Sequence, residues 1–144
     1  MLFDNYAAEG NRFLHAVAYE LNCNTARAAR ATRSVLHALR DRLPSDEAIQ
    51  FAQGLPMALK GIYIDQYDIS DTPVVIRTPK KFLDFIFFKA GKSANTDFPD
   101  RKSMLEALRG VFFVLENHLD PGQISHVKKI LNKDIVELIV EYVE

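Results

Sequence analysis

Four basic side chains recur at helical spacing in the first half of the chain: Arg30, Arg33, His37 and Arg40. At about 100° per residue they fall within a sector of about 80° on the outer face of one helix. Guanidinium groups bind phosphates and carboxylates through paired N–H donors, so this face is a candidate site for nucleic acid, another anionic ligand or an acidic partner. The alternative is an ordinary solvated helix surface, because arginine favours helices and is mostly exposed. We favour the alternative, since the corresponding helix of the second half carries Glu106 and Glu116.

The sequence contains no recognisable metal-binding or catalytic pattern. No pair of histidines has the spacing of a helical zinc motif, and Cys23 is the only cysteine. The acids Asp65, Asp68 and Asp71 lack the alternate spacing and the glycine of a calcium loop. We therefore predict no metal site, no cofactor and no catalytic residue. Asp84, which lies in a phenylalanine-rich stretch, is the one acid whose pKa we would test for an increase, although it more simply marks a wet edge of its helix.

Length and charge indicate one globular domain over residues 1–144. The chain has 18 basic and 19 acidic residues, so no overall field would attract it to nucleic acid or to an anionic membrane. The most apolar stretch, residues 82–88, is far shorter than the roughly 20 residues that span a bilayer. A single cysteine and the lack of a secretory signal pattern favour a cytoplasmic protein.

The apolar residues of the two halves match when the sequence is shifted by 76 positions, as when Ala31 is laid over Ala107. The matched positions recur largely at helical intervals, which predicts two diverged helical units. We expect a compact all-α bundle of about eight helices, formed by two four-helix units. The first unit covers about 11–63, a linker covers 64–77, and the second unit covers about 78–142.

Capping residues and prolines predict where these helices begin. In the first unit, the first helix is expected from Asn11 to Asn22, and the second begins after Asn24 or Thr25 as its cap. The third helix begins after Ser45 as its cap, and the fourth runs from Pro56 to about Tyr63. In the second unit, the predicted starts are Thr78-Pro79, the stretch 97–100, Asp120-Pro121 and Asn132. Residues 92–98 are predicted as a loop, and residues 74–77 as a short extended piece.

Aromatic residues are concentrated in the stretch Phe82–Phe88, which is apolar around nearly its whole circumference as a helix. A helix of that kind is normally buried, so we expect both units to share one core. The alternative for this stretch is a core strand. Tyr63 and Tyr67 lie beside the linker, where they line either a groove between the units or, as we favour, the core.

Residues 35–44 read VLHALRDRLP, and they are followed by Leu55-Pro56 and by Gly61-Ile62-Tyr63. With Thr72-Pro73 and Arg77, this pattern closely resembles a bacterial family catalogued as domain of unknown function 2267. The second half follows the family pattern more loosely. The resemblance implies a compact helical fold in a bacterial cytoplasmic protein. It implies no activity and no catalytic residue.

Three functions are consistent with the sequence. The leading hypothesis is a non-catalytic protein-interaction or scaffold module, whose partner is another protein or a second copy of the chain. The alternative is nucleic-acid or anionic-ligand binding through the basic face of the second helix. An enzyme with a pocket between the units, near Asp84 or Tyr63, is the least favoured.

Overall fold

The computed structural model describes residues 2–130 and 136–137, and within them all regular structure is helical. The all-α class is therefore confirmed. None of the helices in these ranges is both long enough and apolar enough to cross a membrane. Two single-turn 3-10 helices cover Ile69–Asp71 and Gly91–Ser93. The α-helices in chain order are α1 (Asp4–Leu21), α2 (Thr25–Arg42), α3 (Ser45–Gln53), α4 (Met57–Ile64), α5 (Pro79–Ala90), α6 (Ala94–Asp97), α7 (Arg101–Glu116) and α8 (Pro121–Ile130).

Side-chain caps start three helices within the stretches that the sequence predicted. Asn24 Oδ1 accepts a hydrogen bond from the backbone N–H of Arg27 at 2.8 Å. Thr78 caps α5 in the same way, and Asp100 and Ser103 form a reciprocal capping box at the start of α7. These contacts satisfy N–H groups that the first turn of a helix leaves without partners.

Two helix starts differ from the prediction. The first helix begins at Asp4 and not at Asn11, and its residues up to position 8 are exposed. The periodicity missed these turns because they have no buried apolar stripe. Ser45 does not cap α3, because it is already the first residue of that helix and follows Pro44, whose side chain makes no capping bond.

The predicted loop over residues 92–98 is partly helical. It contains the end of a 3-10 turn and all of α6. The last residue of α6, Asp97, is 1% exposed, because it contacts α2, and that long-range contact leaves no periodic signal in the sequence. Residues 74–77, predicted as an extended piece, form neither helix nor strand.

The core is organised around α2, which packs against α1, α4, α5, α6 and α7. A single apolar cluster contains Phe13 and Val35 from the first half together with Phe82 and Val111 from the second half. The expected shared core is therefore confirmed. The division into two four-helix units stays a prediction, because the helix expected over 132–142 falls almost wholly outside the described residues.

The phenylalanine-rich stretch is the helix α5 and not a strand. Our expectation that it is buried on all sides is wrong. Phe82, Leu83 and Ile86 pack into the core, whereas Phe88 is 72% exposed. α5 packs against α2 and α7, and the exposure of Phe88 shows that part of its surface faces solvent.

Candidate binding surfaces

Arg30, the first residue of the predicted basic face, is occupied by an internal carboxylate. Its Nε and Nη2 atoms donate to the two carboxylate oxygens of Asp97 at 2.8 and 2.9 Å. Arg27 adds a hydrogen bond to the main-chain oxygen of Asp97 at 2.8 Å. The hydrogen bond from Arg30 is the main reason why the pKa of Asp97 lies below its ordinary value. These contacts attach α6 to α2.

Arg33 remains at the surface and also has an acidic partner. Its Nη1 atom lies 2.8 Å from the carboxylate of Asp65, and the two side chains are 36% and 54% exposed. An external anion would compete with this carboxylate, but water already screens the pair. Of the four predicted residues, Arg30 and Arg33 are the two that solvent reaches.

His37 is buried, at 3% exposure. Its Nε2 atom lies 2.7 Å from the carbonyl oxygen of Ile62, a distance at which the N–H group of the neutral ring donates to that oxygen. Burial is the main cause that lowers the pKa of His37 to about 4. The histidine is therefore neutral at pH 7, and its predicted place on an outer basic face is wrong.

Arg40 is also buried, at 1% exposure. Its Nη1 atom donates to the carbonyl oxygens of Tyr63 and Asp65 at 2.8 and 2.9 Å, and its guanidinium lies over the ring of Tyr67. The prediction placed this side chain outside because the sequence does not show that the end of α4 lies against α2. Arg40 thus satisfies carbonyl groups that the last turn of α4 leaves open.

Asp41 completes a charged cluster inside the protein. It accepts a hydrogen bond from Arg40 Nε at 2.7 Å, and its second oxygen lies 2.6 Å from Lys89 Nζ. Burial acts to raise the pKa of Asp41, but the hydrogen bonds from Arg40 and Lys89 outweigh it and leave that pKa below its ordinary value. The cluster of Arg40, Asp41 and Lys89 joins α2 to α5, and we call it the buried ion cluster.

Tyr63 and Tyr67 lie next to this cluster. Tyr63 is fully buried and its hydroxyl donates to the carbonyl oxygen of Ala48 at 2.8 Å. Burial raises the pKa of Tyr63, so the phenol stays protonated. Tyr67 is half-buried and packs against the core, which confirms the preference for core over groove.

A cleft of about 340 Å³ lies between the end of α2 and the segment that precedes α5. We call it the Arg42 cleft, and its lining consists of two arginines, two prolines and three aliphatic residues: Arg42, Arg77, Pro44, Pro73, Val74, Val75 and Ile76.

Arg42 Nη1 donates to the carbonyl oxygen of Val74 at 3.4 Å, and its Nε atom is buried without a partner. Burial first, and the charge of Arg77 second, lower the pKa of Arg42. No carboxylate among the described residues pairs with Arg42. In the sequence, residues 42–44 and residues 73–77 are about 30 positions apart. Their spacing alone does not indicate that they form one cleft.

The half-buried Phe85 and the exposed Phe88 form an aromatic pair on α5. The rings of Phe85 and Phe88 stack with their centroids 6.2 Å apart and their planes at 12°. Lys89 Nζ lies 5.5 Å from the centroid of the Phe85 ring. We call Phe85 and Phe88 the aromatic patch. This patch was not predicted from the sequence, because an all-apolar helix was expected to be buried.

The other candidate chemistry is confined to the surface. Asp84 is exposed, and both its oxygens accept hydrogen bonds from Arg101 at 3.1 and 3.0 Å. The hydrogen bond from Arg101 lowers the pKa of Asp84, so no increase is found and the interpretation as a wet helix edge is confirmed. Within the described ranges, no group of three or more potential ligands could hold a metal ion.

Comparison with known proteins gives a family and no activity. A family model described as "Uncharacterized conserved protein (DUF2267)" matches residues 10–138. No curated protein matches the chain.

Proposed function

We propose that this chain, which belongs to the DUF2267 family of uncharacterised conserved proteins, is a non-catalytic module that binds another protein through its aromatic patch. Phe88 is the observation that carries the proposal. Phe88 is a large apolar side chain in the last turn of α5, and it is 72% exposed. Covering a phenylalanine removes about 1.5–3 kcal/mol of unfavourable hydration.

The surroundings of the aromatic patch resemble the centre and rim of a protein interface. Phe85 and Phe88 supply stacked apolar area, and interface centres are enriched in aromatic side chains. Lys81 and Asp84, which precede the two rings by four residues each, are exposed. They place charge of both signs at the edge. The expected partner therefore has an apolar pocket bordered by polar groups.

The patch is tested by photo-crosslinking in the cells that make this protein. A photoreactive amino acid replaces Phe88, and in a separate sample it replaces Gln50, which is exposed on α3. Position 88 is expected to capture one defined protein that position 50 does not. A captured second copy of the chain would assign the patch to self-association, which sedimentation of the purified protein checks.

Affinity measurements with the captured partner separate the patch from general surface stickiness. Phe88→Ser is expected to weaken binding about thirtyfold, or roughly 2 kcal/mol, as for a central interface residue. Tyr19→Ser is the matched control, because Tyr19 is also a highly exposed aromatic residue, at 84%. Equal affinity of the wild type and Phe88→Ser, with both variants folded by circular dichroism, would refute the proposal.

Nucleic-acid or anionic-ligand binding through the basic face has less support. Only Arg30 and Arg33 of that face reach solvent, and each is paired with a carboxylate. An Arg30→Gln, Arg33→Gln variant that lost salt-dependent binding of labelled RNA or DNA would restore this alternative. An enzyme near Asp84 or Tyr63 has the least support, since one side chain is ion-paired at the surface and the other is a buried hydrogen-bond donor.

A bacterial, cytoplasmic origin and an internal repeat belong to the same proposal. The lone Cys23 is suited to a reducing compartment. The repeat is supported by the alignment of Val35 with Val111, both fully buried on long helices.

A further inference from the structure

Arg42 is a partly buried cation whose Nε atom has no hydrogen-bond acceptor. Among the described residues its one side-chain hydrogen bond, to the carbonyl oxygen of Val74, is 3.4 Å long, and such a bond is weak. Its Nε atom is buried without an acceptor. A guanidinium has five N–H donors, and removing it from water is unfavourable unless an anion pairs with it.

Three of the four other arginines of α2 are paired with carboxylates. Arg30, Arg33 and Arg40 each lie within 2.8 Å of a carboxylate oxygen. Arg42 instead faces Arg77 across the cleft, and the charge of Arg77 acts against its own. Two positive charges held at one cavity create a potential that attracts a negative group.

The remaining wall of the cleft is apolar. Pro44, Val74 and Ile76 line it, and Ile76 is 7% exposed. The cavity of about 340 Å³ is at the lower end of the range for small-molecule sites. A ligand that fits this wall has an apolar part next to its charge.

We propose that the Arg42 cleft binds a small organic oxyanion, whose carboxylate or phosphate group pairs with Arg42 and Arg77 while a short apolar chain lies against Pro44, Val74 and Ile76. This site is distinct from the aromatic patch and does not depend on it. The charged group would supply the acceptors that Arg42 lacks. The apolar wall would select among anions by chain length.

A chain-length series tests both halves of the proposal. Acetate, butyrate, hexanoate and inorganic phosphate are titrated against the full chain, and binding is followed by NMR shifts of the backbone amides of residues 74–77. Each added methylene that reaches the wall is expected to tighten binding about threefold to fourfold, so butyrate should bind about tenfold tighter than acetate. Butyl phosphate, added to the series, distinguishes a phosphate head from a carboxylate head.

Variants identify the residues. Arg42→Gln is expected to weaken butyrate binding at least tenfold, and Arg77→Gln, at an exposed position, should weaken it at least threefold. Arg12→Gln removes the same charge from an exposed position on α1 and should change binding less than twofold. No saturable shift with any organic anion would overturn the proposal, as would equal affinity of Arg77→Gln and Arg12→Gln. Inorganic phosphate binding as tightly as hexanoate would overturn the apolar part.

Discussion

The long helices α2 and α7 are predicted to be equivalent by sequence, yet they bury different chemistry. The buried residues of α7 are all apolar or glycine. The buried residues of α2 include a histidine, two hydroxyl residues and an ion pair. Where α2 buries Thr32, α7 buries Leu108 at the position 76 residues later, and Arg40 corresponds to Glu116, which is exposed.

The difference follows from what packs against the second half of each helix. The end of α4 lies against α2 and presents open carbonyl groups, among them that of Ile62 to His37 and that of Tyr63 to Arg40. The corresponding turns of α7 face solvent at Phe113 and Glu116. His37 and Arg40 are therefore buried where a neighbouring element offers them partners. Four predictions test this comparison.

Asp41→Asn should have the largest effect, because it leaves Arg40 and Lys89 facing each other without an anion. Removing one partner of a buried ion pair costs about 3–5 kcal/mol, and the free energy of unfolding in urea measures the loss. Asp84→Asn on α5 is the control, since Asp84 is paired but exposed, and it should unfold like the wild type. A loss no larger for Asp41→Asn than for Asp84→Asn would show that the buried ion cluster contributes nothing special.

Leu108→Ala on α7 is expected to destabilise the protein by about 2–5 kcal/mol, because it opens a cavity in the core. Leu36→Ala on α2 should do the same, as both leucines are fully buried. Urea unfolding of the pair checks whether the apolar parts of the two helices are equally important. A loss on α2 well below the loss on α7 would mean that polar contacts, and not packing, hold α2 in place.

His37 should make stability depend on pH between about 6.5 and 4. The native histidine is neutral down to a pKa of about 4, while the unfolded chain binds a proton near pH 6.5. Stability from this group is therefore complete above pH 6.5 and decreases as the pH falls, by at most about 3 kcal/mol. His37→Gln keeps a donor for Ile62 and removes this loss, which unfolding at pH 7 and pH 4.5 measures.

The exposed His15 provides the comparison for that experiment. His15→Gln should leave the pH dependence of the wild type unchanged. If His37→Gln and the wild type lose the same stability between the two pH values, His37 is not the buried neutral group that the geometry indicates.

Thr32→Val should have the smallest effect and the opposite sign. The Thr32 hydroxyl oxygen is buried without a hydrogen-bond partner, so replacing it with a methyl group should stabilise the protein by about 1 kcal/mol. Thr25→Val, at an exposed position, should give no such gain. A thermal unfolding temperature that falls for Thr32→Val would indicate that the hydroxyl is satisfied by a bound water.

The sequence predicted the helices well and the candidate site poorly. Apolar spacing and caps located α2, α5 and α7, because those signals act within one helix. Of the four basic residues, however, His37 and Arg40 are buried. Helical periodicity gives the angle of a side chain around its own axis, but not what lies opposite that angle.

The amino-acid sequence by itself therefore determined the helical class, most helix starts and the residues of the apolar core. Only the tertiary structure decided that Arg40 binds carbonyl groups 23 and 25 residues away, that Phe88 remains exposed and that Arg42 and Arg77 share a cleft. The physical reason is range. Caps and apolar stripes depend on residues within a few turns, whereas the burial of a charge depends on which distant groups the fold brings to it.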